Sequence, residues 1–140
     1  MIILDTSVVS ELARQAPEPR VTAWLDSLPQ AKVGITAITV AELLYGVSRL
    51  PVGRRRSLLA KTIEKLVTDQ FGGRVWPFDL RAAACYALIV SGRERSGRRI
   101  SAADAQIAAV CRASDALLAT RNTRDFVHTG IELINPWKAG

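Results

Sequence analysis

The sequence has 140 residues, 49% of them hydrophobic and 23% charged, with 19 Lys and Arg against 13 Asp and Glu and a net charge of +6. A chain of this size buries about two thirds of the surface its unfolded form exposes, so its core needs neither disulfides nor a structural metal, and the disordered and collagen-like classes are excluded. The longest apolar runs, such as Met1 to Leu4 and Ala82 to Val90, fall far short of the roughly 18 residues of a membrane span. The opening Met-Ile-Ile-Leu-Asp lacks the marks of a secretory signal, so a cytoplasmic protein is expected.

Met1 to Leu4 reads as a strand that ends at Asp5-Thr6-Ser7, and Val8, Val9, Leu12 and Ala13 then recur at helical spacing. Pro17 and Pro19 interrupt the pattern before a short amphipathic helix marked by Val21, Trp24, Leu25 and Leu28. Val33 to Thr36 alternates as a strand. Thr39 followed by Glu42 fits a capping box, opening a helix with the apolar stripe Val40, Leu43, Leu44 and Val47. After Pro51 and Gly53, Leu58, Leu59, Thr62, Ile63, Leu66 and Val67 predict a long helix that stops at Gly72-Gly73. Arg74 to Pro77 is a brief extended piece, Asp79 is a natural N-cap, and the alanine-rich helix after it runs to Gly92. A basic loop follows. Ser101-Ala-Ala-Asp104 starts another helix with Ile107, Ala108 and Cys111 on its buried face, then come a strand from Ala116 to Thr120, a turn region Asn122 to Phe126, and a last strand from Ile131 to Ile134.

Strands alternating with helices, without a tight hairpin signal, indicate a three-layer α/β/α sandwich around a parallel sheet, and no linker divides the chain, so residues 1–140 form one domain. Cys85 and Cys111 sit among small and aliphatic residues and read as buried free thiols. The single histidine, His128, has no Cys or second His nearby, which argues against a zinc site and against Ser-His-Asp or Cys-His catalysis. Arg54-Arg55-Arg56 and the stretch Gly92 to Arg99 are basic clusters that suit a polyanion. Trp24, Trp76 and Trp137 are expected to be core or groove-lining residues.

In open parallel sheets, ligands sit beyond the carboxyl ends of the strands. Asp5 closes the first strand, Glu42 lies in the opening turn after the second, Asp104 opens the helix after the basic loop, and Asp125 follows the strand Ala116 to Thr120. An acid at a helix start is ordinarily a cap, so each alone says little. Four on one sheet edge are different: like charges a few ångström apart cannot all ionise without a cation. An all-oxygen donor set suits Mg²⁺ or Mn²⁺, and such an ion promotes phosphodiester hydrolysis. Setting these four aside leaves nine acids against 19 bases, a charge of +10 elsewhere that suits a nucleic-acid backbone.

Ile3-Leu4-Asp5-Thr6-Ser7, Ile38-Thr39-Val40-Ala41-Glu42-Leu43 with Gly46, Ser101 to Ala109, and Thr120-Arg121-Asn122-Thr123-Arg124-Asp125-Phe126 resemble, in order and spacing, the successive motifs of PIN-domain ribonucleases. The resemblance spans essentially the whole chain and is closest to toxins of VapBC-type and FitAB-like toxin-antitoxin pairs. It implies an about five-stranded PIN-like sandwich and a Mg²⁺- or Mn²⁺-dependent endoribonuclease with Asp5, Glu42 and Asp104 on the metal. Either Asp125 or Asn122 completes the site, and Thr6 and Thr120 orient carboxylates or water. It also implies an RNA substrate, a homodimer, and a small DNA-binding antitoxin whose C-terminal segment covers the active-site groove.

Arg98, Arg99 and Arg121 are candidates for stabilising charge on the substrate, and the helices Leu58 to Val67 and Ala83 to Val90 are candidates for a dimer face. Two other functions compete. Asp5 could be the nucleophile of an aspartyl-phosphate domain, although position 7 is Ser and not the second Asp such a site expects. A non-catalytic RNA-binding or regulatory module would need only the basic charge.

Overall fold

Alternation of side chains along the strands sets the layers of this molecule. In the computed structural model, which describes residues 1–139, the strands are β1 (Ile2–Leu4), β2 (Val33–Thr36), β3 (Val75–Trp76), β4 (Leu117–Ala119) and β5 (Leu133–Ile134). They form one sheet in the order β3-β2-β1-β4-β5, and every pairing is parallel, with Ile2 beside both Val33 and Leu117, and Leu4 beside Ala119. The helices are α1 (Thr6–Leu12), α2 (Pro19–Asp26), α3 (Ala37–Ser48), α4 (Arg54–Lys65), α5 (Leu80–Arg95) and α6 (Ala102–Ala113). The expected three-layer parallel α/β sandwich is therefore the observed fold.

Period two along the strands separates the two cores. Leu4, Val33, Ile35 and Ala119 face Val8, Val9, Val21, Leu25, Leu43, Val47 and Ile63, so α1 to α4 cover one face of the sheet. Ile3 and Leu118 face Ala82, Ile89 and the run Ile107 to Cys111, so α5 and α6 cover the other. Trp24 and Trp137 pack against the first core and Trp76 against the second. Cys111 is a buried free thiol and Cys85 a half-buried one. Among the described residues no helix is long and apolar enough to cross a membrane.

Helix starts follow local chemistry. Pro19 occupies the first position of α2, Asp79 accepts from the Ala82 amide at 2.9 Å, and Ser101 accepts from the Asp104 amide at 3.1 Å. Two expectations are corrected. The cap of α3 is Thr36, which accepts from the Thr39 amide at 3.1 Å; the helix starts one turn earlier than the Thr39 and Glu42 box implies, leaving the Thr39 hydroxyl for other work. The second concerns α5, which runs through Gly92 to Arg95. It ends at Gly97, whose φ of 71° permits the left-handed turn that returns the Gly97 amide to the Glu94 carbonyl and the Arg98 amide to the Arg93 carbonyl.

Of the two helices considered for a dimer face, Leu59, Ile63, Leu66 and Val67 turn inward, as do Cys85, Tyr86 and Ile89, while Leu58 and Leu88 remain exposed. The order of strands matters more for function. The chain leaves β1 toward β2 and β3, then returns to build β4 and β5 on the other side, so a crevice opens between the carboxyl ends of β1 and β4.

Gly34 lies under Trp76 at the β2-β3 edge, where a Cβ would stand 2.6 Å from the Arg74 carbonyl oxygen and 2.7 Å from the indole ring. Backbone cannot yield as a side-chain tip can. Gly34→Ala is expected to cost about 1–3 kcal/mol, measured by urea unfolding against the wild-type chain.

Candidate active site

Asp5 is the first residue past β1 and is 4% exposed, although it is ionisable. It stands at the N-cap position of α1, yet its carboxylate makes no capping bond. Instead Oδ2 accepts from Thr120 Oγ1 at 2.7 Å and from Ser7 Oγ at 2.9 Å. Thr120 can reach it because β4 is registered beside β1, and the Asp5 amide donates to the Ala119 carbonyl at 2.8 Å. Both hydrogen bonds fall on one oxygen, which fixes the orientation of the group. Thr120 Oγ1 also accepts from the Asn122 amide at 3.0 Å, starting the turn that carries Asn122 and Asp125.

A second set of hydroxyls governs Glu42. Thr6 Oγ1 donates to Glu42 Oε1 at 2.6 Å and lies 2.9 Å from Thr39 Oγ1, which accepts from Thr36 Oγ1 at 3.4 Å. A hydroxyl has one proton to donate. Since Thr6 gives its own to Glu42, Thr39 must donate to Thr6, so the chain runs from buried Thr36 through buried Thr39 to the carboxylate. Glu42 itself is exposed, as are Asn122 and Asp125.

Asp104, at the third position of α6, shows that the acids feel one another. Its pKa is pushed up to about 6, first by burial and next by the charge of Asp5, with smaller contributions from Asp125 and Glu42, while the Ser101 hydroxyl pulls the other way. All four predicted acids therefore share one electrostatic neighbourhood at the β1-β4 crevice. As they stand, no group of three acidic, His or Cys side chains among the described residues is arranged to hold a metal ion. The donor set is nonetheless of the right kind, since carboxylate oxygens are hard ligands and the repulsion that raises Asp104 is what a cation relieves. Cys111 is no nucleophile: burial, with a contribution from Asp5, pushes its thiol up to about 12.

The basic cluster from Gly92 to Arg99 divides into two roles. Arg93 is 5% exposed and is committed to the protein, donating to the carbonyls of Arg98 (2.9 Å), Arg99 (2.9 Å), Asp125 (3.1 Å) and Val127 (2.6 Å). It ties the loop leading into α6 to the turn that carries Asp125, and so sets two of the acids relative to each other. Arg98 and Arg99 stay exposed. Sequence reasoning missed Arg93, Ser7, Thr36 and Thr39 as supports. For Ser7 and Thr39 the available signal was their position inside the motifs that carry the acids; Thr36 only ended the second strand and Arg93 only belonged to the basic cluster.

Residues 2–132 match the family described as PIN domain. The chain is 44% identical over 137 residues to the toxin FitB of Neisseria gonorrhoeae, covering 98% of this chain and 99% of that protein. It is 41% identical over 138 residues to the VapC ribonuclease Y4jK of Sinorhizobium fredii, covering 99% of each. Among solved structures, FitAcB from Neisseria gonorrhoeae superposes with a TM-score of 0.91 at 43% identity, covering 99% of this chain and 100% of that one.

A raised carboxyl pKa has a definite sign in stability. Between the ordinary 3.8 and about 6, the folded chain holds the Asp104 proton more tightly than the unfolded chain does, so this group's contribution declines as pH rises through that window and is level above it. In metal-free protein, Asp104→Asn is expected to remove a decline of about 1–2 kcal/mol, allowing for partial exposure, when unfolding free energies near pH 4 and pH 8 are compared. Carboxyl NMR of the wild type should place the Asp104 midpoint near 6.

Proposed function

Because the chain belongs to the PIN-domain family, we propose that it is a metal-dependent endoribonuclease and the toxin of a toxin-antitoxin pair, with Asp5, Glu42, Asp104 and Asp125 holding Mg²⁺ or Mn²⁺. The observation that carries this reading is the gathering of carboxylates at the switch point of a parallel sheet, where burial and, next, the charge of Asp5 raise the pKa of Asp104. When bound, the divalent ion makes a water more acidic and screens negative charge developing on the phosphate.

The chain's own groups prepare the site. Thr120 and Ser7 hold one oxygen of Asp5 in place, and Thr6, backed by Thr39 and Thr36, turns Glu42 toward the first turn of α1. Burial, and next the charge of Asp5, raise the Asp104 carboxyl, a cost that a cation at the site relieves. Asp125 stands on the turn held by Arg93, and Asn122, beside Thr120, offers a neutral oxygen as the alternative fourth donor. Exposed Arg98 and Arg99 near Asp104 supply positive charge for the RNA backbone.

The partners follow from the same reading. A groove of about 330 Å³ runs from Thr6 and Glu42 between α1, α3 and α4, with Leu43, Leu50, Leu59 and Ile63 along it. Its apolar lining supports docking of an antitoxin segment that covers the acids, in a cytoplasmic protein whose 140 residues act as one domain and pair as a homodimer. FitAB has been solved bound to a DNA fragment, which supports an antitoxin that also binds DNA.

Purified, antitoxin-free protein incubated with a pool of structured RNAs and Mg²⁺ or Mn²⁺ is expected to make endonucleolytic cuts that EDTA abolishes. Asp5→Asn, which keeps size but removes charge, should reduce the rate at least about a hundredfold. Intact RNA in every metal, with folded wild-type protein, refutes the nuclease. Thr120→Val removes the hydroxyl that orients Asp5 and should weaken metal affinity about 10- to 100-fold, read as a rise in the Mn²⁺ concentration giving half-maximal cleavage.

A further inference from the structure

Where the chain leaves β4, one residue past the threonine that hydrogen-bonds Asp5, it stations a cation on an aromatic ring. Arg121 follows Thr120 directly, and its amide donates at 3.2 Å to Ser7 Oγ, the same hydroxyl that donates to Asp5. Its guanidinium carbon lies 5.0 Å from the centre of the Trp137 ring, within the range of a cation-π contact. Trp137 is in turn anchored: it packs against the first core, its amide donates to Asn135 Oδ1 at 2.9 Å, and Asn135 Nδ2 reaches back to the Arg121 carbonyl at 3.4 Å. A second guanidinium, that of Arg20, donates to the Trp137 carbonyl at 2.9 Å.

Two arginines thus meet at one tryptophan, and neither is neutralised, since the one ion pair among the described residues joins Arg14 to Glu11. A ring face holds a guanidinium in place while leaving its N–H groups able to bind an anion in the bidentate manner that suits phosphate. Repulsion from the acid cluster makes such a device useful, because RNA must bring negative charge to a negative site. We propose that Arg121, seated on Trp137 and assisted by Arg20, binds an RNA phosphate adjacent to the one that is cut. Trp137 is the positioning residue of this subsite. The identity of the ligand as substrate rests on the nuclease reading, whereas the phosphate contact can be measured without cleavage.

The test is binding of a fluorescein-labelled single-stranded RNA to the full chain, free of antitoxin and in EDTA, followed by anisotropy from about 50 to about 300 mM KCl. Arg121→Ala should weaken binding about fivefold to tenfold at the lowest salt and reduce the slope of log affinity against log salt by about 0.7, the value of one phosphate contact on a single strand. Arg81→Ala, beside the C-terminal end of α6 and away from the crevice, is the charge control and should leave both quantities near wild type. Trp137→Leu keeps every charge, yet should reproduce much of the loss; Trp137→Phe should restore it and serves if the leucine variant unfolds. In Mn²⁺, Arg121→Ala should raise KM more than it lowers kcat.

Equal effects of Arg121→Ala and Arg81→Ala overturn the proposal, as does wild-type protein that binds no RNA at the lowest salt. Unchanged RNA binding combined with weaker retention of a co-expressed antitoxin also overturns it, and assigns the arginine to a protein interface. Loss of RNA binding in a protein that never cleaves RNA leaves the phosphate subsite standing and removes the nuclease. Normal cleavage with unchanged binding does the reverse.

Discussion

The bond from Thr120 Oγ1 to Asp5 Oδ2, 2.7 Å long and buried, joins the ends of two strands that are 115 residues apart in the chain. A carboxylate with so little access to water is tolerable only if hydrogen bonds replace the lost solvation. Thr120 and Ser7 provide them, and the N-terminal end of α1 adds a favourable dipole. The parallel register of β1 and β4 makes the contact possible, and the neighbouring groups depend on it. Asn122 turns on the same threonine hydroxyl, and the Arg121 amide is held by the same serine that binds Asp5.

Around this bond the fold gathers negative charge without cancelling it. Arg93 is buried between the loop leading into α6 and the turn that carries Asp125, where a direct ion pair with Asp125 would have been an easy way to relieve the repulsion. Its guanidinium goes instead to four carbonyl oxygens, including that of Asp125, so it organises the loops without pairing with a carboxylate. Hydroxyls play the same part for Asp5 and Glu42: they orient an anion without neutralising it. Asp104, raised first by burial and next by the charge of Asp5, carries part of the consequence. Bringing like charges together in this way costs folding free energy.

Local signals read well where they are self-contained. The caps at Asp79 and Ser101 and the apolar strand cores were legible, because each depends on residues within one turn or on period-two alternation. Thr39 misled for an instructive reason. Its spacing to Glu42 satisfies a capping pattern, but Thr36 one turn earlier already caps the helix, and the two residues of the apparent box meet through Thr6 on another element. Gly92 misled similarly: glycine ends a helix only where a left-handed residue is needed, and that position is Gly97.

The sequence by itself determined the layered parallel fold, the placing of three acids after strands and of Asp104 at a helix start, and the excess of basic charge that suits a polyanion. Those features follow from periodicity, turn chemistry and composition, which act over a few residues or over the whole chain at once. Only the tertiary structure decided which hydroxyl serves which carboxylate, that Arg93 is structural while its neighbours face solvent, and that Arg121 meets Trp137. The reason is physical. Hydrogen bonds and cation-π contacts between residues 16 to 117 positions apart depend on strand register and helix packing, and no local pattern encodes the partner on the far side of a fold.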